Sequence, residues 1–358
     1  MYVDNRGSIQ SLKTDFPTKE MLVSKNYRNV WKGFHLSPYR KLVYVAKGRI
    51  LDYFTDGTEF KRFELAAGDH VEIPAGWAHG YYCLEDSEVV YLLAGQFDPA
   101  VDRCIHWKSP EFQFDFPFTD PIVSDKDREA PWFRQCEYLV FGDGFLGNQF
   151  VKYHPNSVIS RTRLDGDLES DIKKSGCRAV ICAAGISGKP TIDWCEDHEE
   201  ETFEANFLGA LNIARVCKKL QVPLVYFGSG AVYTEGTWSE TDPPNYEGTV
   251  YSKWRVRLEE ALKFYPVTYL RIMYPCSFDG HPKSFDEKMK TRKAHKAMIQ
   301  YTDIPSLFPL IPKLIGKSGI YNFVCETPVK LSTFAAEESD EAPNRPPALF
   351  DTKKLTAI

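Results

Sequence analysis

Between Lys41 and Phe97 the hydrophobic residues come in short runs, KLVYVA, RILDYF, FKRFEL, VEIP, YYCL and VVYLLAG, broken by KGR, TDG, AAGDH and AGWAHG. No helical period is sustained there, and short β-rich runs at close spacing predict an antiparallel sandwich or barrel. Past Gln135 the texture changes. Strand-like segments at Tyr138–Phe141, Ser157–Ser160, Ala179–Cys182, Leu224–Phe227 and Thr268–Ile272 alternate with helix-like ones, notably Glu199–Leu220 and Tyr251–Phe264. That alternation predicts a doubly wound parallel α/β sheet.

The chain therefore reads as multidomain, an all-β unit over residues 1–130 followed by an α/β unit over 135–358. The stretch FQFDFPFTDPIV and the polar SDKDREAP after it are read as the linker, and AAEESDEAPNRPPALFDTKK as loop or tail. No internal repeat or low-complexity tract interrupts this pattern.

A net charge of −5 supplies no excess of cations to meet phosphates, which argues against a general nucleic-acid or membrane-surface binder. No stretch approaches the roughly 18 apolar residues of a membrane span, and MYVDNRGSIQ lacks a leader pattern, so a cytoplasmic protein is expected. The nine cysteines are scattered without a C-x-x-C pair. Reduced thiols fit this set better than a disulfide framework or a zinc site.

The strand YLVF runs into Gly142-Asp143-Gly144-Phe145-Leu146-Gly147 and then a helical segment, the context in which G-x-G-x-x-G binds a dinucleotide pyrophosphate. Ala183, Ala184 and Gly185 end the third strand with residues small enough for a cofactor to lie against. Where an NAD site carries an acidic residue for the ribose, this chain has Ser160-Arg161-Thr162-Arg163, and Arg161 can pair with a 2′-phosphate. NADPH is favoured, with NADH possible. Ser229 at the fourth strand's end and Tyr251 at the next helix start can converge on a carbonyl beside a nicotinamide.

These residues resemble the extended short-chain dehydrogenase/reductases, a Rossmann-type family, with Ser229 and Tyr251 at its catalytic positions. AAGISGKPTIDWCEDHEEETFEANFLGALNIARVC and the YSK segment are more closely similar to dTDP-4-keto-rhamnose reductase, above all to the reductase half of plant-type bifunctional epimerase/reductases. The family's Tyr-x-x-x-Lys reads here as Tyr251 and Arg255, which keeps the positive charge on a bulkier, planar group.

In the first unit, Arg6, Lys32-Gly33-Phe34-His35, Lys41, His79, Tyr91 and Ser124-Asp125-Lys126-Asp127 stand out. A histidine backed by a carboxylate is an effective base, and a tyrosine on the opposite wall can protonate the other face of a carbanion. Alone, each of these residues is as readily a packed barrel histidine or a solvated charge. A metal-binding barrel is disfavoured because His35-Leu36-Ser37 lacks an H-x-H pair, and no metal is expected. Together the residues resemble dTDP-4-keto-6-deoxyglucose 3,5-epimerase, a cupin-fold family. The resemblance implies His35 as base, Asp127 as its partner, Tyr91 as acid, and Arg6, Lys41 and His79 as substrate-binding.

The two resemblances imply consecutive reactions on a nucleoside-diphosphate 4-keto-6-deoxyhexose, 3,5-epimerisation and then NADPH-dependent reduction to a rhamnose-type sugar. The alternative is an epimerase whose second unit is a catalytically weak cofactor-binding or assembly module. A homodimer is expected by the same likeness.

Overall fold

The computed structural model describes residues 2–4, 7–9, 14–188, 191–340 and 347–358. The chain divides into two compact units, Met1–Gln135 and Cys136–Ile358.

In the first unit β1 (Tyr2–Asp4) and β2 (Gly7–Ile9) pair with each other. They are followed by β3 (Glu20–Asn26), β4 (Trp31–Leu36), β5 (Lys41–Lys47), β6 (Arg49–Thr55), β7 (Phe60–Ala66), β8 (His70–Ile73), β9 (Ala78–Cys83), β10 (Ser87–Leu93) and β11 (Arg103–Cys104). Two antiparallel sheets result, ordered β3-β10-β5-β8 and β11-β4-β9-β6-β7. They bury Val43, Val45 and Val89 of the first against Ile50, Phe54, Tyr81 and Cys83 of the second, a cupin-like arrangement. The strands β4 and β9 approach so closely that a Cβ on Gly33, at φ +128°, would lie 2.5 Å from the Gly80 Cα.

The segment read as a linker belongs to this unit. Phe112, Phe114, Phe116 and Phe118 alternate with polar or proline residues, and each ring packs on the next. They pack with Trp31, Phe34, Tyr53 and Trp107 in one aromatic cluster. Trp31 is fully buried there, its ring 5.5 Å from both Phe116 and Phe118. Each such ring buried contributes on the order of 1.5–3 kcal/mol, more than a polar neighbour can oppose. SDKDREAP is no linker either, because it forms the one-turn helix α1 (Asp125–Arg128), whose cap Ser124 accepts the Asp127 backbone N–H at 3.1 Å.

The second unit has a six-stranded parallel sheet made by β12 (Tyr138–Phe141), β13 (Ser157–Ser160), β14 (Ala179–Cys182), β15 (Leu224–Ser229), β16 (Val267–Ile272) and β17 (Gly319–Asn322). Its order is β13-β12-β14-β15-β16-β17, a Rossmann-like arrangement. The order reverses between β12 and β14, and ligands of such sheets bind in the crevice beyond the strand ends at that point. YLVF and AVIC are buried throughout, which is why they read as continuous apolar runs. Helices α2 (Phe145–Tyr153), α3 (Leu168–Ser175), α4 (Glu199–Phe203), α5 (Gly209–Leu220) and α6 (Val250–Leu262) connect the strands. Between α4 and α5, Glu204–Leu208 winds as a π-helix, a local widening common at functional sites.

The stretch read as tail is partly structured. Ala348–Phe350 pairs with Gly236–Trp238, and the Phe350 N–H donates to Gln300 Oε1 at 2.6 Å, because Ala348 and Phe350 bury their side chains in the unit's core.

Candidate active sites

In the first unit the ladder sets His35 opposite His79, and Cys104 of β11 opposite His35. Residues directly opposite share a face, so these three project from the same side of their sheet, and Tyr81, two residues beyond His79, joins them. On the other sheet Lys41 pairs with Leu93 and Val43 with Tyr91, which puts Lys41 and Tyr91 on one face. The Tyr91 ring lies 6.2 Å from His79 and 6.3 Å from Tyr81, so the two faces meet.

His35 Nε2 lies 2.9 Å from Asp127 Oδ1. Burial works to lower the imidazole pKa, but the hydrogen bond and charge of Asp127, with Cys104 behind, outweigh it and raise it to about 9. Asp127 is itself buried. Burial pushes its carboxyl up, yet the His35 contact and the Ser124 hydroxyl hold it below the usual range. Burial drives the Tyr91 phenol well above its ordinary value, so it keeps its proton at neutral pH. Lys41 goes the other way. Burial brings its ammonium down to about 8 against the pull of Asp102 and Asp52.

A second pair lies deeper, with His79 Nε2 2.7 Å from Asp52 Oδ1 and both residues buried. Sequence reasoning passed over Asp52 and Cys104. Asp52 had a signal, being the one carboxylate within the apolar run RILDYF. Cys104 had none, because only its pairing with β4 brings it to His35. Arg6 lies outside the described residues.

In the second unit β12 runs into Gly142, whose φ of +106° suits glycine, and a Cβ there would come 2.6 Å from the Ala184 N. At Gly147 a Cβ would meet the Gly142 carbonyl oxygen at 1.9 Å, so the helix start can close on the strand only without a side chain. Gly144 caps α2, and a Cβ built on it meets nothing within 4 Å. Bare backbone at a helix N-terminus facing open space is what a pyrophosphate needs, so Gly142, Gly144, Phe145, Leu146 and Gly147 fit a dinucleotide. Arg161 and Arg163 follow β13 exposed, while Ser160 Oγ donates to Asp171 at 2.6 Å.

Ser229 ends β15, its Oγ accepting the Ala231 N–H at 3.1 Å, and Tyr251 lies in the first turn of α6 behind the cap Thr249. One turn on, Arg255 is buried with its guanidinium carbon 5.1 Å from the Tyr251 ring centre. It donates to Tyr226 Oη at 2.6 Å and to Asn206 Oδ1 at 3.3 Å. Asn206, carried on the π-helix, also clasps the backbone of Ile186 at 2.8 Å on both its N–H and its carbonyl. The chain after Ala183 and Ala184 passes tightly by these groups, since a Cβ on Gly185 would lie 2.9 Å from both Arg255 Nη2 and Asn206 Oδ1. Lys253 points away and pairs with Glu199 at 2.7 Å. Tyr226 was not singled out, because within LVYF it reads as another core aromatic.

The dTDP-4-dehydrorhamnose 3,5-epimerase family model matches residues 4–135, and that of the RmlD substrate binding domain residues 152–308. A bifunctional dTDP-4-dehydrorhamnose 3,5-epimerase/dTDP-4-dehydrorhamnose reductase of Arabidopsis thaliana is 30% identical over 213 residues, 52% of this chain and 69% of the relative. A trifunctional UDP-glucose 4,6-dehydratase/UDP-4-keto-6-deoxy-D-glucose 3,5-epimerase/UDP-4-keto-L-rhamnose-reductase of the same plant is 30% identical over 223 residues, 56% of this chain. The matched part is only 33% of that longer relative. In fold, the L780 UDP-rhamnose synthase of Acanthamoeba polyphaga mimivirus superposes with a TM-score of 0.51 at 21% identity, over 62% of this chain and 86% of that one.

Proposed function

Because the chain belongs to the family of bifunctional 4-dehydrorhamnose 3,5-epimerase/reductases, we propose that it epimerises a nucleoside-diphosphate 4-keto-6-deoxyhexose at carbons 3 and 5 and then reduces the 4-keto group. The observation that carries the first half is the His35–Asp127 pair at 2.9 Å. With a pKa of about 9 the neutral ring is the minor form at neutral pH; in that form Nε2–H is donated to Asp127 and the lone pair on Nδ1 removes the proton next to the ketone. Asp127 stabilises the imidazolium that forms. Lys41 supplies positive charge for the enolate oxygen, His79 helps seat the substrate, and Tyr91, kept protonated by burial, returns a proton from the opposite wall.

In the second half a nicotinamide cofactor, held by the glycine loop of Gly142, Gly144 and Gly147, would supply the hydride for carbon 4. Tyr251 donates the proton the alkoxide takes up, Ser229 hydrogen-bonds the substrate oxygen, and Arg255 holds a fixed positive charge beside the Tyr251 ring, its guanidinium carbon 5.1 Å from the ring centre. Arg161, exposed just past the end of β13, supports NADPH as the reductant.

The test is solvent deuterium exchange into carbons 3 and 5 of UDP- and dTDP-4-keto-6-deoxyglucose without nicotinamide, followed by NADPH oxidation. His35→Ala should abolish exchange, and Tyr251→Phe should abolish oxidation while leaving exchange intact. Undiminished exchange in the folded His35→Ala protein removes His35 from the mechanism.

A further inference from the structure

We propose that His35, Cys104 and Asp127 form a three-ligand site for a borderline-soft divalent cation, zinc above all, and that filling it stops proton transfer at His35. One ligand atom from each residue can be chosen so that all three lie within 4.8 Å of one another. In a tetrahedral zinc site, bonds of about 2.0–2.3 Å put the donors about 3.3–3.8 Å apart, so small side-chain rotations bring these atoms into range.

The backbone already sets the positions. Cys104 is held opposite His35 by the β11–β4 ladder, and Asp127 is aimed at His35 from α1 by the Ser124 cap. The Asp127 side chain is 5% exposed whereas that of His35 is 38% exposed, so the carboxylate forms the floor and a cation enters from the imidazole side. The fourth coordination position remains for water. Imidazole nitrogen, thiolate and one carboxylate favour zinc over the hard cations magnesium and calcium, which take oxygen donors. On binding, the cation displaces the thiol proton of Cys104 to solvent, since the thiolate is the ligand.

Inhibition follows from whichever ring nitrogen of His35 the cation takes. At Nδ1 it occupies the lone pair that accepts the substrate proton. At Nε2 it replaces the hydrogen shared with Asp127, and Nδ1 must then carry the N–H of the neutral ring. This second half rests on His35 being the epimerase base, but cation binding itself does not.

The experiment titrates the full chain with Co²⁺ as a spectroscopic stand-in for Zn²⁺, and in parallel measures deuterium exchange into the 4-keto sugar with and without one equivalent of Zn²⁺. A thiolate-to-cobalt charge-transfer band should saturate at one cobalt per chain, be displaced by zinc, and vanish in Cys104→Ser. Zinc should lower the parent's exchange at least tenfold, reversibly with EDTA. Cys104→Ser, compared with its own metal-free rate, should be far less sensitive. No band in the parent, or the same band in folded Cys104→Ser, overturns the site. If the band forms but the metal-free protein shows no exchange, the cation site stands and the epimerase reading falls. Rapid exchange indifferent to zinc, with no band, removes the site and leaves that reading intact.

Discussion

Arg255 donates a 2.6 Å hydrogen bond to the hydroxyl of Tyr226, a residue with no exposed surface. A lysine at 255 presents one ammonium and cannot span Tyr226 and Asn206 as the guanidinium fork does. Arg255→Lys therefore leaves a buried hydroxyl without its donor, which costs about 1–3 kcal/mol. The same lysine restores the point charge beside Tyr251. The expected outcome is a lower urea midpoint together with unchanged or faster NADPH oxidation. A rate loss above tenfold in the folded variant would show that the planar fork is itself needed by the reaction.

Arg161 bears on cofactor choice. A charge-assisted contact to the 2′-phosphate is worth about 1.5–3 kcal/mol, a ten- to hundredfold preference. Arg161→Ala should weaken NADPH binding by that factor and leave NADH binding unchanged, read by fluorescence titration. Equal affinities for the two cofactors in the parent would remove Arg161 from this role.

The charge on Lys41 should show in the pH profile. Its folded pKa of about 8 lies below the ordinary lysine value, so the ammonium is present below pH 8 and lost above it, with Asp52 and Asp102 the carboxylates that act on it. Arginine stays charged throughout. The ratio of exchange rates, parent over Lys41→Arg, should be flat up to pH 8 and then fall toward tenfold per unit. Taking the ratio cancels the titration of His35, which both proteins share. A flat ratio to pH 10 would show that the Lys41 charge does not act on the enolate.

Phe112 tests the segment that closes the first unit. It is 2% exposed, with its ring 4.6 Å from that of Phe34. Phe112→Ala should cost about 3–5 kcal/mol, seen as a fall in the first unit's urea midpoint. A change within 0.5 kcal/mol would mean that the ring carries no core packing.

The parallel sheet was legible because its buried strands write themselves as apolar runs, YLVF and AVIC among them, with the glycine loop directly behind the first. His35 and Asp127 stood out by residue type and likeness, but their contact spans 92 positions and no local pattern encodes it. Cys104 and Tyr226 escaped for the same reason, since the first gains its meaning from β4 and the second from Arg255 of α6, whereas Asp52 did carry a local signal as a carboxylate inside an apolar run. The phenylalanine repeat reads as linker because prolines and the polar SDKDREAP behind it interrupt the strand pattern. Four rings in one buried cluster carry more free energy than the interrupting polar and proline residues remove.

Because α1 follows the phenylalanine segment, the carboxylate that makes His35 basic arrives on the last stretch of the first unit. A ribosome-bound chain that has not yet released residue 127, or a fragment clipped after Phe118, has β4 and its histidine but no Asp127 beside it. Such a species lacks the imidazolium's partner and should leave an activated keto sugar largely untouched. With His35 as the proposed base, proton abstraction waits for α1 to dock, and a chain that stops short of it should exchange slowly without any separate inhibitor.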